Sequence, residues 1–298
     1  MTPLITLSNG KLSATLCPGI GGSIARFQYG TIDVLRPASA HAIEHNLSPS
    51  MALYPMVPCS GRIVNGQLDF KGSRYTLTPN FPPEPHAIHG VGWRRAWRVE
   101  EQSASRAVIS LDHVADADWP FSFRANQVIS LEDVSLTLTY TLVNSGTGPM
   151  PAGLGFHPFF PRTEDTTLHT EWRNIWLTDA AMVPVELQAI PATADFSIER
   201  EIGGWRIDNC FTGWNGHAVV GYPTHRVEIS ASAGLDRCVC FIPDDERKII
   251  CVEPVSHVVN AFNRAAAGET GTGARTMQPG DSWTESMTLK VSGPKEHQ

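Results

Sequence analysis

The chain has 298 residues, 42% of them hydrophobic, which is enough for one large domain with a substantial core. Its formal net charge of −7 and its lack of any basic run argue against binding to nucleic acid or to anionic lipid. The first residues lack the features of a signal peptide, and the uncharged stretch at residues 46–61 contains three prolines. We therefore expect a soluble, cytoplasmic protein without a membrane partner.

Cysteines are few for a chain of this length, and they follow no tight spacing along most of the sequence. Without an export signal, the expected state is a set of reduced thiols in a cytoplasmic setting. Buried, inert thiols are the default interpretation. The six residues are Cys17, Cys59, Cys210, Cys238, Cys240 and Cys251.

Alternation of apolar and polar residues predicts β-strands along the chain. It is weak in KLSATL, residues 11–16, and strong in VSLTLTYTL, residues 134–142, where every second residue from Val134 is apolar. It recurs weakly in HRVEISAS, residues 225–232, and strongly in SWTESMTLKV, residues 282–291. Each of these segments is expected to have one face on a core.

Helical periodicity is scarce, whereas turn-forming residues are frequent. No stretch of 12 residues combines helical apolar spacing with freedom from Pro and Gly, and 25 Gly and 22 Pro separate the short strand-like runs. There is no fixed-period repeat and no low-complexity linker. The sequence therefore predicts an all-β protein, a single large antiparallel β-sandwich that forms one domain over residues 1–298.

Two strand ends draw attention because each places a titratable group beside a proline. In GFHPFF, residues 155–160, His157 precedes Pro158, which cannot donate to a sheet ladder, so the strand should end there and the side chain can face a cleft. Glu253 precedes Pro254 after a largely apolar run and is expected at the mouth of the sheet. A single residue of either kind is more typical of a structural role than of a catalytic one.

Metal binding and nucleophilic catalysis are both poorly supported. His86 and His89 form a His-x-x-His pair, and Cys238 and Cys240 share a strand face, but no second pair completes a zinc site. A GxSxG motif is absent, and the GVG at residues 90–92 is too short to hold phosphate. We expect neither a metal nor a cofactor.

Six segments, in their order along the chain, resemble the aldose 1-epimerase family, also called galactose mutarotases. The likeness extends from about residue 10 to about residue 290. Each motif alone is weak, but six in register are fairly specific. They are PCSGRIVNGQLDFKGSRYTL (58–77), HAIHGVGWRRAW (86–97), DWPFSF (118–123), MPAGLGFHPFF (150–160), RIDNCFTGW (206–214) and ICVEPVSHVVNAFN (250–263).

The resemblance implies a galactose mutarotase type of β-sandwich that interconverts the α and β anomers of a free sugar without metal or cofactor. It implies that Glu253 is the general base, His157 the general acid and His89 a second histidine at the reacting oxygens. It also implies that Arg62 and Asp208 bind sugar hydroxyls. The choice of His157 or His89 as the main acid stays open.

The chemistry adds two expectations about this group of residues. Ring opening needs one group to accept the proton of the C1 hydroxyl and another to protonate the ring oxygen. We therefore expect the side chains at 157 and 253 to converge in one pocket, with a gap that fits a monosaccharide. A cation such as Arg62 is expected to oppose the effect of burial and to keep Glu253 ionised.

Gly61 stands where many family members carry Asn, and GLGFHPFF replaces an Asn-rich segment of many galactose-acting members, so the sugar is not specified. A carbohydrate-binding or sugar-sensing module remains an alternative, although binding alone needs no matched acid and base. A hexose-6-phosphate 1-epimerase should carry extra cations near the cleft, where only Arg94 and Arg95 are adjacent. A glycoside hydrolase would need two carboxylates at the bond, for which Glu253 and Asp208 are the candidates.

Overall fold

The computed structural model describes residues 3–243 and 245–294, and these residues are mostly in β-strands. Two α-helices of only 5 and 6 residues, α1 (Ala40–Glu44) and α2 (Ala261–Ala266), interrupt them. One-turn 3₁₀ helices cover Ser48–Ser50, Val64–Gly66, Gly92–Arg94 and Ala192–Ala194. The scarcity of helical periodicity in the sequence is thus reflected in the fold.

The strands are short in the first third of the chain and longest at residues 123–132, 135–144 and 282–292. In chain order they are β1 (Ile5–Ser8), β2 (Leu12–Cys17), β3 (Ser23–Tyr29), β4 (Ile32–Asp33), β5 (Leu53–Met56), β6 (Arg62–Ile63), β7 (Gln67–Phe70), β8 (Ser73–Thr76), β9 (Ala87–Ile88), β10 (Arg98–Gln102), β11 (Arg106–His113), β12 (Phe123–Glu132), β13 (Ser135–Asn144), β14 (Met150–Ala152), β15 (Gly155–Pro158), β16 (Phe160–Pro161), β17 (Thr167–Thr170), β18 (Asn174–Thr178), β19 (Pro184–Ala189), β20 (Arg200–Glu201), β21 (Ile207–Thr212), β22 (His217–Gly221), β23 (Arg226–Ala231), β24 (Arg237–Ile242), β25 (Ile249–Val255), β26 (Arg275–Met277) and β27 (Ser282–Ser292).

Two large antiparallel sheets form the framework. The larger has 12 strands in the order β1-β2-β3-β5-β15-β25-β24-β21-β18-β19, with β4 and β16 at its side, and the smaller has nine in the order β10-β11-β12-β13-β27-β23-β22-β17-β20. Their facing sides share the main core, where Tyr140 of β13 stacks on Phe156 of β15 with ring centroids 4.2 Å apart. The predicted all-β, antiparallel β-sandwich is confirmed.

The alternating segments are strands whose apolar residues face that core. In β13 and β27, buried residues alternate with more exposed ones along the strand, as residue spacing along a pleated strand requires. The weaker patterns at residues 11–16 and 225–232 correspond to β2 and β23. The division of residues 1–298 into one domain stays a prediction.

The middle of the larger sheet is buried on both sides. Every residue of β5, β15 and β25 is buried. One side packs on the main core, and the other carries a second apolar cluster that includes Tyr54, Trp93, Phe159 and Cys251. We call this second side, with His157 and Glu253 on it, the site face.

The two predicted strand ends have different outcomes. β15 ends at Pro158, as the sequence predicts. The prediction that Glu253 ends its strand is wrong, because β25 continues through Pro254 to Val255 and remains paired with β24 there. Proline lacks a ladder donor but keeps an extended backbone, so one proline does not stop a strand held by its neighbours.

All six cysteines and all the helices named above lie within the described residues. All six cysteines are buried and unpaired. None of the helices in this part of the chain has the length and apolar character required to span a lipid bilayer.

Candidate active site

His157 and Glu253 meet because their strands are neighbours in the larger sheet. Gly155 of β15 pairs with Val255 of β25. Because the two strands are antiparallel, the same register sets His157, two residues after Gly155, opposite Glu253, two residues before Val255. His157 Nε2 lies 3.4 Å from Glu253 Oε1, with side chains only 10% and 4% exposed. Sheet register thus joins two residues that are far apart in sequence.

The convergence of these side chains agrees with expectation, but the spacing does not. We expected a gap that fits a monosaccharide between them, whereas the imidazole and the carboxyl group contact each other directly. Cross-strand neighbours on one face have Cβ atoms only about 4.5–5.5 Å apart, so adjacent strands leave no such gap. A ligand of the pair would therefore have to lie over it rather than between its members.

Burial acts on both members of the pair in favour of their neutral forms. Burial raises the pKa of Glu253 well above its usual value, and the negative charge of Asp208 raises it further. Burial and the nearby His89 lower the pKa of His157 well below its usual value. Both shifts therefore favour the uncharged forms of the two groups, whose nearest atoms lie 3.4 Å apart.

His89 is held beside the pair by its own backbone. It has a φ of +59°, and the next residue, Gly90, has a φ of +66° and lies so close to Val57 that a Cβ would sit 2.6 Å from its carbonyl oxygen. The His89 and His157 ring centroids are 5.4 Å apart. This tight turn carries the imidazole over the site face.

The protonation of His89 follows from its contacts. The Gly61 N–H donates to His89 Nδ1 at 3.0 Å, and burial together with the charge of Arg62 lowers the pKa of His89 to about 3. The ring is therefore neutral at pH 7 with its proton on Nε2. His89 can donate one hydrogen bond, but it is not a source of acid at neutral pH.

Arg62 reaches the same region from β6, which pairs with β9 immediately before His89. Its guanidinium donates two bonds to Glu84, Nε to Oε2 at 2.8 Å and Nη2 to Oε1 at 3.0 Å. The Arg62 charge lowers the pKa of Glu253, but burial and Asp208 outweigh it. Arg62 therefore acts in the expected direction, but its charge does not offset the effect of burial on Glu253.

Asp208 lies on β21, two strands away from Glu253, and is partly buried. Burial raises its pKa, although Arg62 opposes the shift. Asp208 also lines an open cavity of about 400 Å³, whose described lining includes none of the other four predicted site residues. The other lining residues are Thr178, Met182, Arg206, Ile207, Asn209, Phe241, Ile242, Pro243, Asp245 and Arg247.

Aromatic rings divide between the site face and the main core. Trp93 and Phe159 belong to the site-face cluster, whereas Phe156 and Trp214 lie in the main core. Phe159 stacks on His157 with ring centroids 4.4 Å apart. Phe159 therefore packs directly on the imidazole, and of these four rings only Trp93 and Phe159 lie on the site face.

Three residues of the site were not found from the sequence. Tyr54 of β5 lies opposite His157, with ring centroids 4.5 Å apart. Glu84 holds Arg62, and Cys251 lies two residues before Glu253 on the same face. Tyr54 and Glu84 lie outside the six motifs, whereas Cys251 lies within one but was interpreted as an inert thiol. An acid between two prolines just before HAIHG was a visible hint for Glu84.

The residues considered above as metal ligands or as phosphate-binding cations make other contacts. His86 Nδ1 accepts the Asn65 N–H at 3.0 Å. Cys238 and Cys240 face the main core, away from the site face. Arg95 forms ion pairs with Asp116 and Asp118, both at 2.7 Å, so the adjacent Arg94 and Arg95 do not form a free cationic pair.

Comparison with known proteins identifies the family. A sequence model of the aldose 1-epimerase family matches residues 3–290. The chain belongs to the aldose 1-epimerase family. It is also similar to two uncharacterized proteins of Escherichia coli (strain K12), YphB, with 26% identity over 297 residues (97% of this chain and 98% of YphB), and YihR, with 24% over 219 residues (70% of each).

Solved structures share the fold over the whole chain. A crystal structure from Escherichia coli K12, of a protein proposed to be an aldose 1-epimerase, superposes with a TM-score of 0.89 at 25% identity, covering 98% of this chain and 99% of that one. The GalM/aldose epimerase homologue from C. elegans superposes with a TM-score of 0.82 over 98% and 99% of the two chains. At 18% identity, the latter shows the fold alone.

Proposed function

We propose that the protein is an aldose 1-epimerase that interconverts the α and β anomers of a free monosaccharide by acid–base opening and closing of the ring. One observation carries the proposal: a buried carboxyl group and a buried imidazole in contact at 3.4 Å on the site face. Acid and base groups held within reach of the same substrate are what this reaction needs. Family membership over residues 3–290 agrees with it.

The contact between the two groups suits the bond that must break. The C1 hydroxyl oxygen and the ring oxygen share one carbon, so two side chains in contact can each reach one of them. Glu253 accepts the proton of the C1 hydroxyl while His157 protonates the ring oxygen, and the C1–ring oxygen bond opens to an aldehyde. After rotation about C1–C2, the reverse transfers close the ring with the other configuration, and no proton is consumed overall.

These roles require a proton shared by the pair to lie on His157 when the sugar is bound. Burial alone favours the other arrangement, with the proton on Glu253. Because the two atoms are 3.4 Å apart, a small approach lets the proton pass between them. Sugar hydroxyls that donate to the carboxylate, and the charge of Arg62, favour the arrangement with ionised Glu253.

The remaining residues provide binding and orientation. His89 can donate from Nε2 to the ring or anomeric oxygen. Arg62 offers N–H donors, and Asp208 offers carboxylate acceptors, to the sugar hydroxyls. The partner of the protein is then a free monosaccharide, and the chemistry of this site needs no cofactor.

The alternative of a binding or sensing module keeps the same cleft without turnover. The alternative of a hexose-6-phosphate substrate is weakened by the ion pairs of Arg95 with Asp116 and Asp118. Anomer exchange rates separate the three. A binder accelerates no exchange, and an enzyme specific for phosphorylated sugars accelerates exchange of the 6-phosphates alone.

The test is an exchange measurement by NMR on a panel of free hexoses, pentoses, deoxy sugars and hexose 6-phosphates at equilibrium. We expect the wild-type protein to accelerate exchange of at least one free sugar, and His157→Asn to lose most of that acceleration. Retention by His157→Asn, with loss in His89→Asn, would move the acid to His89. Saturable binding of a sugar without faster exchange would overturn the proposal.

A further inference from the structure

Cys251 is a buried thiol on the site face that the proposed reaction does not use. It lies two residues before Glu253 on β25, so both side chains point to the same side of the sheet. Donor atoms of Cys251, Glu253 and His157 all lie within 4.8 Å of one another. A sulfur, a carboxylate oxygen and an imidazole nitrogen therefore converge on one point.

We propose that this cluster is a binding site for a single thiophilic divalent cation, with Zn²⁺ as the natural candidate, and that the bound ion blocks the acid–base pair. Zn²⁺ binds cysteine sulfur, histidine nitrogen and carboxylate oxygen with little preference among them. Calcium and magnesium prefer sets made of oxygen alone, which excludes them here. The inference does not depend on the proposed function, because cation binding can be measured without turnover.

The distances fit a tetrahedral ion after a small closure. Bond lengths of about 2.0–2.3 Å place two ligands of one zinc ion about 3.3–3.6 Å apart. His157 Nε2 and Glu253 Oε1 already satisfy this at 3.4 Å. The cluster limit of 4.8 Å leaves roughly 1 Å to be closed by side-chain rotation.

The electrostatic surroundings tolerate a cation. The three ligand side chains are all buried and converge on one another, and a cation that binds such a set displaces protons from it. Asp208 adds a negative charge near Glu253. The opposing charge of Arg62 is paired with Glu84.

Occupation of the site and sugar turnover exclude each other. A cation bound to Glu253 and His157 removes the lone pair that accepts a proton and the nitrogen that donates one. The ion is thus an inhibitor and not a cofactor. This role differs from that of a catalytic zinc, because the two reacting side chains are themselves the ligands.

The experiment uses Co²⁺ as the probe on the reduced, tag-free protein after removal of metals with a chelator. Co²⁺ replaces Zn²⁺ in such sites, and a thiolate ligand gives a charge-transfer band in the near ultraviolet. We expect one equivalent of Co²⁺ to produce this band and one equivalent of Zn²⁺ to abolish it. Absence of the band in the wild-type protein overturns the proposal.

Two cysteine variants decide which thiol is responsible. Cys251→Ala should lose the band, whereas Cys240→Ala should keep it, because Cys240 is equally buried on the neighbouring β24 but faces the main core. Circular dichroism establishes whether both variants fold. If Cys251→Ala does not fold, the test is repeated with Cys251→Ser. A band that persists in a folded Cys251 variant contradicts the site.

A second readout links the ion to the reaction. Where the protein accelerates anomer exchange, Zn²⁺ should inhibit the wild-type protein and a chelator should restore it. Cys251→Ala should need at least ten times more Zn²⁺ for the same inhibition. If no sugar is turned over but the cobalt band follows Cys251, the proposed function fails and the cation site stands.

Discussion

The two large sheets differ in the environment of the face that points away from the main core. In the smaller sheet, β13 and β27 alternate between buried and more exposed residues, so one face meets water. In the larger sheet, β5, β15 and β25 are buried throughout, because the site face is covered as well. Titratable groups on that covered face lose their hydration, and this loss shifts their pKa values in favour of the neutral forms.

Two buried glutamates, one in each sheet, differ in the groups that they contact. Glu285 of β27 is buried but accepts hydrogen bonds from Trp283 Nε1, at 2.6 Å, and from the Ser232 hydroxyl. Glu253 of β25 instead faces an imidazole at 3.4 Å, and its pKa is raised by burial. A carboxylate with neutral donors is a structural element, whereas one opposed to a titratable base can exchange a proton.

The largest expected effect separates these two glutamates by activity. Glu253→Gln should reduce the rate of anomer exchange by about 10²–10⁴, the usual contribution of a positioned acid or base. Glu285→Gln should leave the rate within about twofold, since it lies in the other sheet. Polarimetry on a freshly dissolved pure anomer measures both, and near-normal acceleration by Glu253→Gln removes Glu253 from the role of base.

In stability the order of the two variants should be reversed: Glu285→Gln should be the damaging change and Glu253→Gln the tolerated one. Glu285→Gln breaks a charged hydrogen-bond arrangement and should cost about 1–3 kcal/mol in the free energy of unfolding. The raised pKa of Glu253 in the folded state gives stability below pH 4.5, its ordinary value, that is lost as the pH rises through the folded pKa. Gln mimics the protonated carboxyl group, so Glu253→Gln should be as stable as wild type at pH 4 and more stable at pH 7.

Urea denaturation at the two pH values checks this stability difference. If Glu253→Gln were less stable than wild type at pH 7, and increasingly so above pH 4.5, the carboxylate would be ionised in the folded protein. The shared proton would then lie on His157 even without sugar. This outcome would reverse the direction we assign to burial at Glu253.

The contrast between the sheets also explains how far the sequence could be interpreted. Alternation such as Val134 to Leu142 predicts a strand with one wet face, and the smaller sheet is of that kind. Where both faces are buried, a strand is a continuous apolar run, and its end is not marked by the pattern. This is why Glu253 was predicted at a strand end although its strand continues to Val255.

The site could be predicted only as far as its residues belong to motifs. His157 and Glu253 were first noticed beside prolines, and the family resemblance then gave roles to His157, Glu253, His89, Arg62 and Asp208; these roles stay predictions. Their direct contacts depend on the pairing of distant strands, which no local pattern encodes. Tyr54 and Glu84 were missed for the same reason, since each reaches the site through the register of β5 or through an ion pair across 22 residues.

A smaller effect is expected at the ion pair that holds Arg62. Glu84→Gln weakens the two-bond contact with a side chain only partly exposed, so Arg62 loses its fixed orientation toward the sugar. We expect KM to rise about tenfold, which corresponds to about 1.4 kcal/mol, with kcat little changed. Glu101→Gln is the matched control, because it breaks the exposed pair with Arg106 in the smaller sheet. A change in kcat without a change in KM would argue against a binding role.

The smallest effect concerns the pH profile of kcat/KM, corrected at each pH for uncatalysed exchange. The pair is active with one proton, and burial lowers the pKa of His157 well below 6.5, so the acidic limb should have its midpoint below pH 6.5. The alkaline limb follows the raised pKa of Glu253, to which the charge of Asp208 contributes. Asp208→Asn should therefore move the alkaline limb to lower pH and leave the acidic limb nearly unchanged. An acidic midpoint at or above 6.5 would mean that the covered site face leaves His157 as hydrated as a histidine on the open face of the smaller sheet.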